Sequence, residues 1–287
     1  MGVVWGLIAA IGYGSGDFFA RAVSVRLTPY HALFYIHLLS GVLLAVVLAL
    51  TGIPATATIG ALALSVVLGV INTLATLLLY RALSIGKISI VSPVVSTFGG
   101  VSLVLALLAG DAISPGGVFS LVLMLAGIVI VSMIRADAPD DAPDAHLRGL
   151  PEAVITALVL GFNFWAMQFV VVPLGAYLPT LVGRIVTIIL LSALARPSRQ
   201  SIAPPPRQYW LGISAAAFVT TIGEVAYNVG VQGTTPGIVA VLSSLFSPVT
   251  VLLALIFLRE RLARHQWVGV GIIFVSTLLV GIAQYFG

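Results

Sequence analysis

The sequence contains no cysteine, which excludes disulfide bonds and thiolate metal sites. Charged residues are also scarce. They make up 8% of the 287 residues, whereas a soluble domain uses about 25% to cover its surface. Hydrophobic residues make up 60% of the chain instead. A soluble globular protein is therefore excluded, and the composition is typical of a protein that lies in a lipid bilayer.

What the sequence does contain is a series of apolar stretches, each long enough to cross the roughly 30 Å hydrocarbon core of a membrane as a helix. In lipid, the backbone polar groups must be satisfied within the segment, which favours helices. The predicted spans are residues 3–21, 29–51, 57–80, 88–109, 115–134, 150–171, 177–195, 207–231, 236–258 and 264–286. We therefore expect an all-α integral membrane protein with ten transmembrane helices.

The basic residues lie on one side of these predicted spans. Twelve of the thirteen Lys and Arg residues fall in or beside the loops after spans 1, 3, 5, 7 and 9, which share one face of the membrane, and Arg184 inside span 7 is the exception. Because loops rich in Lys and Arg stay in the cytoplasm, the pattern predicts periplasmic termini in a bacterial inner membrane. The net charge of +4 comes from these loop residues, which orient the protein in the membrane, so no nucleic-acid partner is expected.

The two halves of the chain resemble one another. The segment Tyr80–Gly86 matches Tyr227–Gly233, and a similar shift along the chain aligns Asp111 with Glu260. The predicted domains are a first five-helix repeat at 1–134, a polar linker at 135–149 and a second five-helix repeat at 150–287. Since each half holds an odd number of spans, the halves would face opposite ways in the membrane, as in the inverted repeats that are typical of transporters.

Three segments of the second half resemble a known family: Ala226–Gly230, Leu245–Val249 and Arg259–Arg261. With the two five-helix halves, they make the chain similar to the EamA branch of the drug/metabolite transporter (DMT) superfamily, and in particular to its aromatic amino acid exporters. The resemblance implies a central cavity lined by spans 1, 3, 4, 6, 8 and 9, and export of amino acids. Members of this family are commonly drawn with cytoplasmic termini, which is opposite to the charge pattern; we follow the charge pattern.

Polar and aromatic side chains deep inside the spans are candidates for solute binding, because a polar group in lipid is costly and needs a partner or a function. Tyr13 and Trp165 also match aromatic positions of those exporters. Glu224, Tyr227 and Asn228 share one helix face by their spacing. The predicted substrate-binding residues are Tyr13, Asn72, Ser96, Phe98, Asn163, Trp165, Glu224, Tyr227 and Asn228.

Small residues and prolines predict how some of the spans pack and bend. The Gly12–Gly16 spacing in span 1 is typical of a close helix–helix contact. Pro93 and Pro248 each remove a hydrogen bond inside a span, so we expect kinks in spans 4 and 9 with a role in gating. The neighbouring serines have a structural alternative, which is bonding back to the preceding turn of their own helix.

Three other polar positions have two interpretations each. Asp17 would either pair with Arg21 one turn later or meet an ammonium group or a proton. Glu224 would either pair with Arg184 or act on substrate or proton. His37 is interpreted as a hydrogen-bonded packing residue in preference to a proton relay.

We therefore expect a carrier that exports amino acids, aromatic or hydrophobic ones by resemblance, and related small metabolites by alternating access. The alternative is proton-coupled efflux of lipophilic cationic drugs, with Glu224 or Asp17 exchanging the proton. An enzyme is disfavoured, because the sequence has no carboxylate pair with histidine, no metal-ligand cluster and no nucleophile elbow. No cofactor or metal is expected, and the partners are the solute and the lipid bilayer.

Overall fold

The computed structural model describes residues 2–110, 115–132, 148–233, 236–259 and 264–286, and these residues form helices and short connections without strands. Most of the predicted linker at 135–149 and both Asp111 and Glu260 lie outside the described residues. The helices are α1 Gly2–Ser24, α2 Pro29–Thr51, α3 Ile59–Ile85, α4 Ile88–Ser96, α5 Phe98–Leu108, α6 Pro115–Ser132, α7 Leu150–Leu174, α8 Leu178–Ala195, α9 Trp210–Gly233, α10 Pro236–Ser244, α11 Phe246–Leu253 and α12 Arg264–Phe286. A 3₁₀ turn (Arg207–Tyr209) precedes α9, and a π-helical turn (Ala254–Leu258) extends α11.

Several of these helical segments are long and apolar enough to cross a bilayer. Within the described ranges there are six: Pro29–Thr51, Ile59–Ile85, Ile88–Leu108, Leu150–Leu174, Leu178–Ala195 and Arg207–Gln232. Their outward side chains are apolar too, with Phe169, Ile189 and Phe218 all more than half exposed. Because such a surface is unfavourable in water and favourable against acyl chains, the protein is a multi-pass membrane protein.

The helix ends follow from local capping signals. The Thr28 and Thr58 hydroxyls accept hydrogen bonds from the backbone N–H of His31 (3.0 Å) and Ala61 (3.3 Å), at the starts of α2 and α3. Gly52 ends α2 with a φ of 81°, a conformation that favours glycine. These caps satisfy backbone groups that the first and last turns of the helices would otherwise leave unpaired.

The predicted spans 4 and 9 are each broken into two helices. The breaks lie at Thr97, between α4 and α5, and at Leu245, between α10 and α11. An α-helical N–H bonds to the carbonyl four residues earlier. At both Thr97 and Leu245 the backbone N–H bonds instead to the carbonyl three residues earlier, over 3.2 Å. Both spans in which the sequence predicts a kink are therefore interrupted, and neither interruption coincides with its proline.

The two prolines differ in their distance from these breaks. Pro248 lies in the first turn of α11, and the carbonyl that its missing N–H would have bonded is that of Ser244, the last residue of α10. Pro93 lies within α4, four residues before the interruption at Thr97. Here the Thr97 hydroxyl bonds back to the Val94 carbonyl over 2.7 Å, a contact that bends helices.

The broken helices occur at corresponding places in the two halves. α4 begins at Ile88 and α10 at Pro236, while α5 begins at Phe98 and α11 at Phe246. The interval along the chain is the same for both pairs of helix starts. The break in the first half is therefore repeated at the same register in the second half.

Helix α1 lies directly against α9 through glycines. A Cβ added at Gly12 would lie 2.6 Å from the backbone of Gly223 and 2.7 Å from the Val219 carbonyl, and one added at Gly16 would meet the Thr220 side chain. The packing interpretation of the Gly12–Gly16 spacing is thus confirmed. This close approach brings Tyr13 of α1 to the same level as Glu224 of α9.

We predict that Gly12→Ala lowers stability, because the added methyl group meets backbone atoms that cannot move aside. Overpacking of this kind costs about 1–3 kcal/mol. The thermal unfolding temperature of the purified protein in detergent measures the effect. Gly271→Ala, inside α12, is the matched control, since a Cβ there meets nothing within 4 Å. Equal unfolding temperatures for the two variants would contradict the tight α1–α9 contact.

Candidate functional site

Two cavities lie inside the helix bundle, one on each side of a shared layer. The first, named here the Asn228 cavity, has about 490 Å³ of empty space and lies towards the beginnings of α3 and α8. The second, the Asp17 cavity, has about 560 Å³ and lies towards the ends of α1 and α3. Both are lined by Tyr13, Asn72, Phe164 and Glu224. These four side chains therefore form the layer between the cavities.

The centre of this layer is a buried ion pair. Arg184 Nη2 of α8 donates to Glu224 Oε2 of α9 over 2.7 Å. Arg184 Nη1 donates to His37 Nε2 of α2 over 2.9 Å, and because a guanidinium can only donate, this imidazole nitrogen is the acceptor. The Arg184 side chain is 2% exposed, while that of Glu224 keeps 21% exposure towards the cavities. Of the two interpretations of Glu224, the structure forms the pair with Arg184.

Aromatic rings surround Phe164 on the apolar side of the layer. Phe98 stacks on Phe164 with centroids 4.4 Å apart, and Tyr227 meets it edge-on at 4.7 Å. Tyr13 also packs edge-on against this ring, at 5.9 Å, and Phe246 stacks on Phe98 at 6.1 Å. Such contacts hold the rings in fixed orientations. The result is an aromatic wall between the two cavities.

Sequence reasoning chose the neighbouring residue Trp165 instead of Phe164. The structure places Trp165 outside both cavities, against Phe162 and Phe169, which lie on the outer surface of the bundle. Adjacent residues of a helix point about 100° apart, so only one of the two rings faces inward. Leu160 and Met167 lie on the same face of α7 as Phe164 and line the cavities with it, but the outer face of α7 is equally apolar, so the spacing alone does not single out Phe164.

The predicted asparagines all line the Asn228 cavity, but they are not equally available. Asn163 Nδ2 donates to the Leu68 carbonyl over 3.0 Å, and Asn228 Nδ2 donates to the Ala176 carbonyl and Thr180 Oγ1 over 2.8 and 2.9 Å. Asn72 makes no hydrogen bond to any part of the chain that the structure describes, and it faces both cavities. Asn72 can therefore offer a solute both its donor and its acceptor groups without first losing a partner.

Three other predicted positions have structural contacts. Tyr227 is buried and donates its hydroxyl to the Phe164 carbonyl over 3.2 Å, so it presents its ring to the Asn228 cavity. Ser96 lines neither cavity and bonds back to the Pro93 carbonyl over 2.7 Å, as expected of a serine in a membrane helix. Phe98 lines the Asp17 cavity.

Asp17 does not form the local ion pair that its spacing suggested. The Arg21 side chain instead donates to the Gly86 carbonyl over 3.0 Å, at the end of α3. Asp17 lines the cavity named after it, together with Tyr80 and His37. The interpretation of Asp17 as half of an Asp17–Arg21 pair was therefore wrong. In the described residues, no cluster of three or more His, Asp or Glu side chains could hold a metal ion.

The fold and the polar layer define a helical membrane protein with cavities between its helices, lined by polar and aromatic side chains. Comparison with known families identifies it further: the model of the EamA-like transporter family matches residues 1–133 and 147–282, and the chain belongs to this family. It is therefore a small-molecule membrane transporter, and its family is one of transporters, not of enzymes.

A solved structure has the same fold. The chain is 16% identical to it, with a TM-score of 0.71, and the similarity covers 99% of this chain and 98% of the other. That structure is described only as "Crystal structure of protein", words that name no solute. No curated protein matches the sequence.

The ion pair gives a second prediction. Glu224→Ala should lower the free energy of unfolding by about 3 kcal/mol, because it leaves the buried Arg184 charge uncompensated. This value is at the lower end for a broken buried pair, since the Glu224 side chain is partly exposed to the cavities. Replacing both residues, as Arg184→Met with Glu224→Leu, should recover most of that loss. Unfolding of the purified variants in detergent measures the difference. A double variant no more stable than Glu224→Ala would show that the pair is not the reason for the loss.

Proposed function

We propose that this protein exports amino acids, with aromatic and other hydrophobic ones preferred, and related small metabolites, by alternating access between two inverted repeats. The observation that carries the proposal is the pair of cavities separated by one shared layer. A carrier needs a solute site that can be approached from either side of the membrane, and Tyr13, Asn72, Phe164 and Glu224 line the space on both sides.

The register of the helices supports the inverted repeat. In both halves a broken helix follows three unbroken ones and precedes a last one, and the breaks at Thr97 and Leu245 occupy corresponding positions. In the proposed arrangement, residues 1–134 and 150–287 each contribute five of ten transmembrane helices, joined by the linker at 135–149. The odd number in each half gives the halves opposite orientations. Rocking of one half against the other, with bending at the two breaks, would then open the cavities in turn.

The chemistry of the site supports an amino acid as the solute. Phe98, Phe164 and Tyr227 offer ring surfaces to an apolar side chain, and Asn72 and Glu224 offer hydrogen-bonding groups to the α-substituents. The motif resemblance to the aromatic amino acid exporter YddG supports the same choice.

The alternative, proton-coupled efflux of lipophilic cations, is favoured by a different observation. Two carboxylates, Asp17 and Glu224, line the Asp17 cavity beside its apolar walls. A lipophilic cation would find both a countercharge and aromatic faces there. Flux measurements with both kinds of solute in the same vesicles distinguish the two functions.

Proteoliposomes containing the protein should move labelled phenylalanine or tryptophan faster than empty vesicles. Phe164→Ala should lower this rate by up to about tenfold, since a ring contact contributes about 0.5–1.5 kcal/mol. Phe169→Ala is the control on the same helix, because Phe169 is 53% exposed on the outer surface. Transport of a lipophilic cation without any amino acid would favour the alternative. If neither class of solute moves, the proposal fails.

For the orientation we propose periplasmic termini in the inner membrane of a bacterium, from the position of twelve of the thirteen basic residues. Alkaline phosphatase, which is active only in the periplasm, should therefore be active when fused to the C-terminus. The same reporter fused after Arg199, in the basic loop between α8 and α9, should be inactive. Activity only in the second fusion would reverse the topology.

A further inference from the structure

Asp17 is the carboxylate of the site that has no partner. It lies in α1, one turn beyond Tyr13, and it is partly buried, with the Asp17 cavity in front of it. No hydrogen bond or ion pair joins it to any residue in the described ranges, and Arg21 is turned towards the Gly86 carbonyl. A buried carboxylate without a partner is strongly unfavourable when charged, so the site requires a cation or a proton.

The groups that face Asp17 do not supply that cation. On α1 itself the neighbour is Tyr13, while α2 contributes His37, α3 contributes Tyr80 and α9 contributes Glu224. The segments 88–108 of α4–α5 and 236–253 of α10–α11 contain no titratable residue. None of these side chains carries a permanent positive charge that could pair with Asp17.

Besides Arg21, which donates to the Gly86 carbonyl, the strong cation near Asp17 in the described residues is Arg184, whose charge is already compensated. Arg184 gives one nitrogen to Glu224 over 2.7 Å and another to His37 over 2.9 Å. The charge of Glu224 is therefore compensated inside the protein, whereas that of Asp17 is not. This difference separates the two carboxylates: Glu224 holds the layer together, and Asp17 remains available for a ligand.

We infer that Asp17 binds the positively charged amino group of the solute, and that it carries a proton when the solute is absent. The inference rests on the proposed function only in requiring that the cavity admits a solute. Binding replaces the O–H bond of the carboxylic acid by an ion pair between carboxylate and ammonium, and the proton leaves to the solvent. One proton is therefore released for each cation bound, and solute and proton compete for the same oxygen atoms.

The walls of the cavity define the rest of the ligand. Leu79, Leu160, Phe98 and Phe246 surround the space in front of Asp17. These apolar side chains exclude a strongly hydrated cation and accept a hydrocarbon or aromatic group next to the ammonium. The ligand class is a primary amine with an apolar side chain, which includes the amino acids proposed above.

The test uses the purified full-length protein and two probes of similar size, phenethylamine and the neutral 3-phenylpropan-1-ol. Calorimetry should show that the wild type binds the amine at least about tenfold more tightly than the alcohol, and Asp17→Asn should lose that preference. In weak buffer with a pH-sensitive dye, amine binding should release up to one proton. The affinity for the amine should rise with pH, because fewer protons compete.

Two further variants keep the result interpretable. Asp17→Glu retains the carboxylate and should retain the preference for the amine in part. Glu152→Gln is the control, because Glu152 pairs with Arg81 (3.2 Å) at the start of α7, away from the cavity. The wild-type proton release is independent of whether Asp17→Asn folds. If the wild type binds no amine, binds the alcohol equally well or releases no proton, or if folded Asp17→Asn binds the amine normally, the inference is overturned.

The outcome separates the two proposals. Proton release on amine binding without amino acid flux in vesicles would retain the Asp17 site and remove amino acid export. Amino acid flux that depends on Phe164, together with normal amine binding by Asp17→Asn, would retain amino acid export and remove the Asp17 site.

Discussion

The interior of this protein depends on the compensation of one charge. Arg184 is buried in a bundle whose surroundings are apolar, and a guanidinium there is costly unless its charge is compensated. Glu224 and His37 each accept a hydrogen bond from Arg184, so α2, α8 and α9 are tied together at one level. These two contacts stabilise the orientation in which α2, α8 and α9 turn polar side chains towards the layer between the cavities.

The glycines of α1 complete the layer. Because Gly12 and Gly16 carry no side chain, α1 approaches the backbone of α9 and places Tyr13 beside the aromatic wall and Asp17 in its cavity. A helix held farther away would leave the level of Glu224 open to lipid. The α1–α9 backbone contact and the Arg184–Glu224 pair therefore both act on α9 and position the same layer of side chains.

Hydropathy and proline positions were sufficient to predict where most described helices lie, because length and apolarity are direct requirements of the bilayer. Helix rotation was less predictable. All faces of these helices are apolar, so periodicity does not reveal which side is inward, and Trp165 was chosen where Phe164 faces the cavities. Glu224, Tyr227 and Asn228 were found because polar residues mark an inward face. The contact of Arg21 with the Gly86 carbonyl was missed because the two residues lie far apart in the sequence.

The two helix breaks connect this static layer to the proposed transport cycle. Phe98 and Phe246 are the first residues after the breaks in the two halves, and their rings stack on one another at 6.1 Å with an angle of 17°. Phe98 in turn stacks on Phe164 of the shared layer. A change of bend at Thr97 or Leu245 therefore has to shift a ring that touches the layer. In the cycle we propose, the breaks therefore act on the aromatic barrier between the cavities.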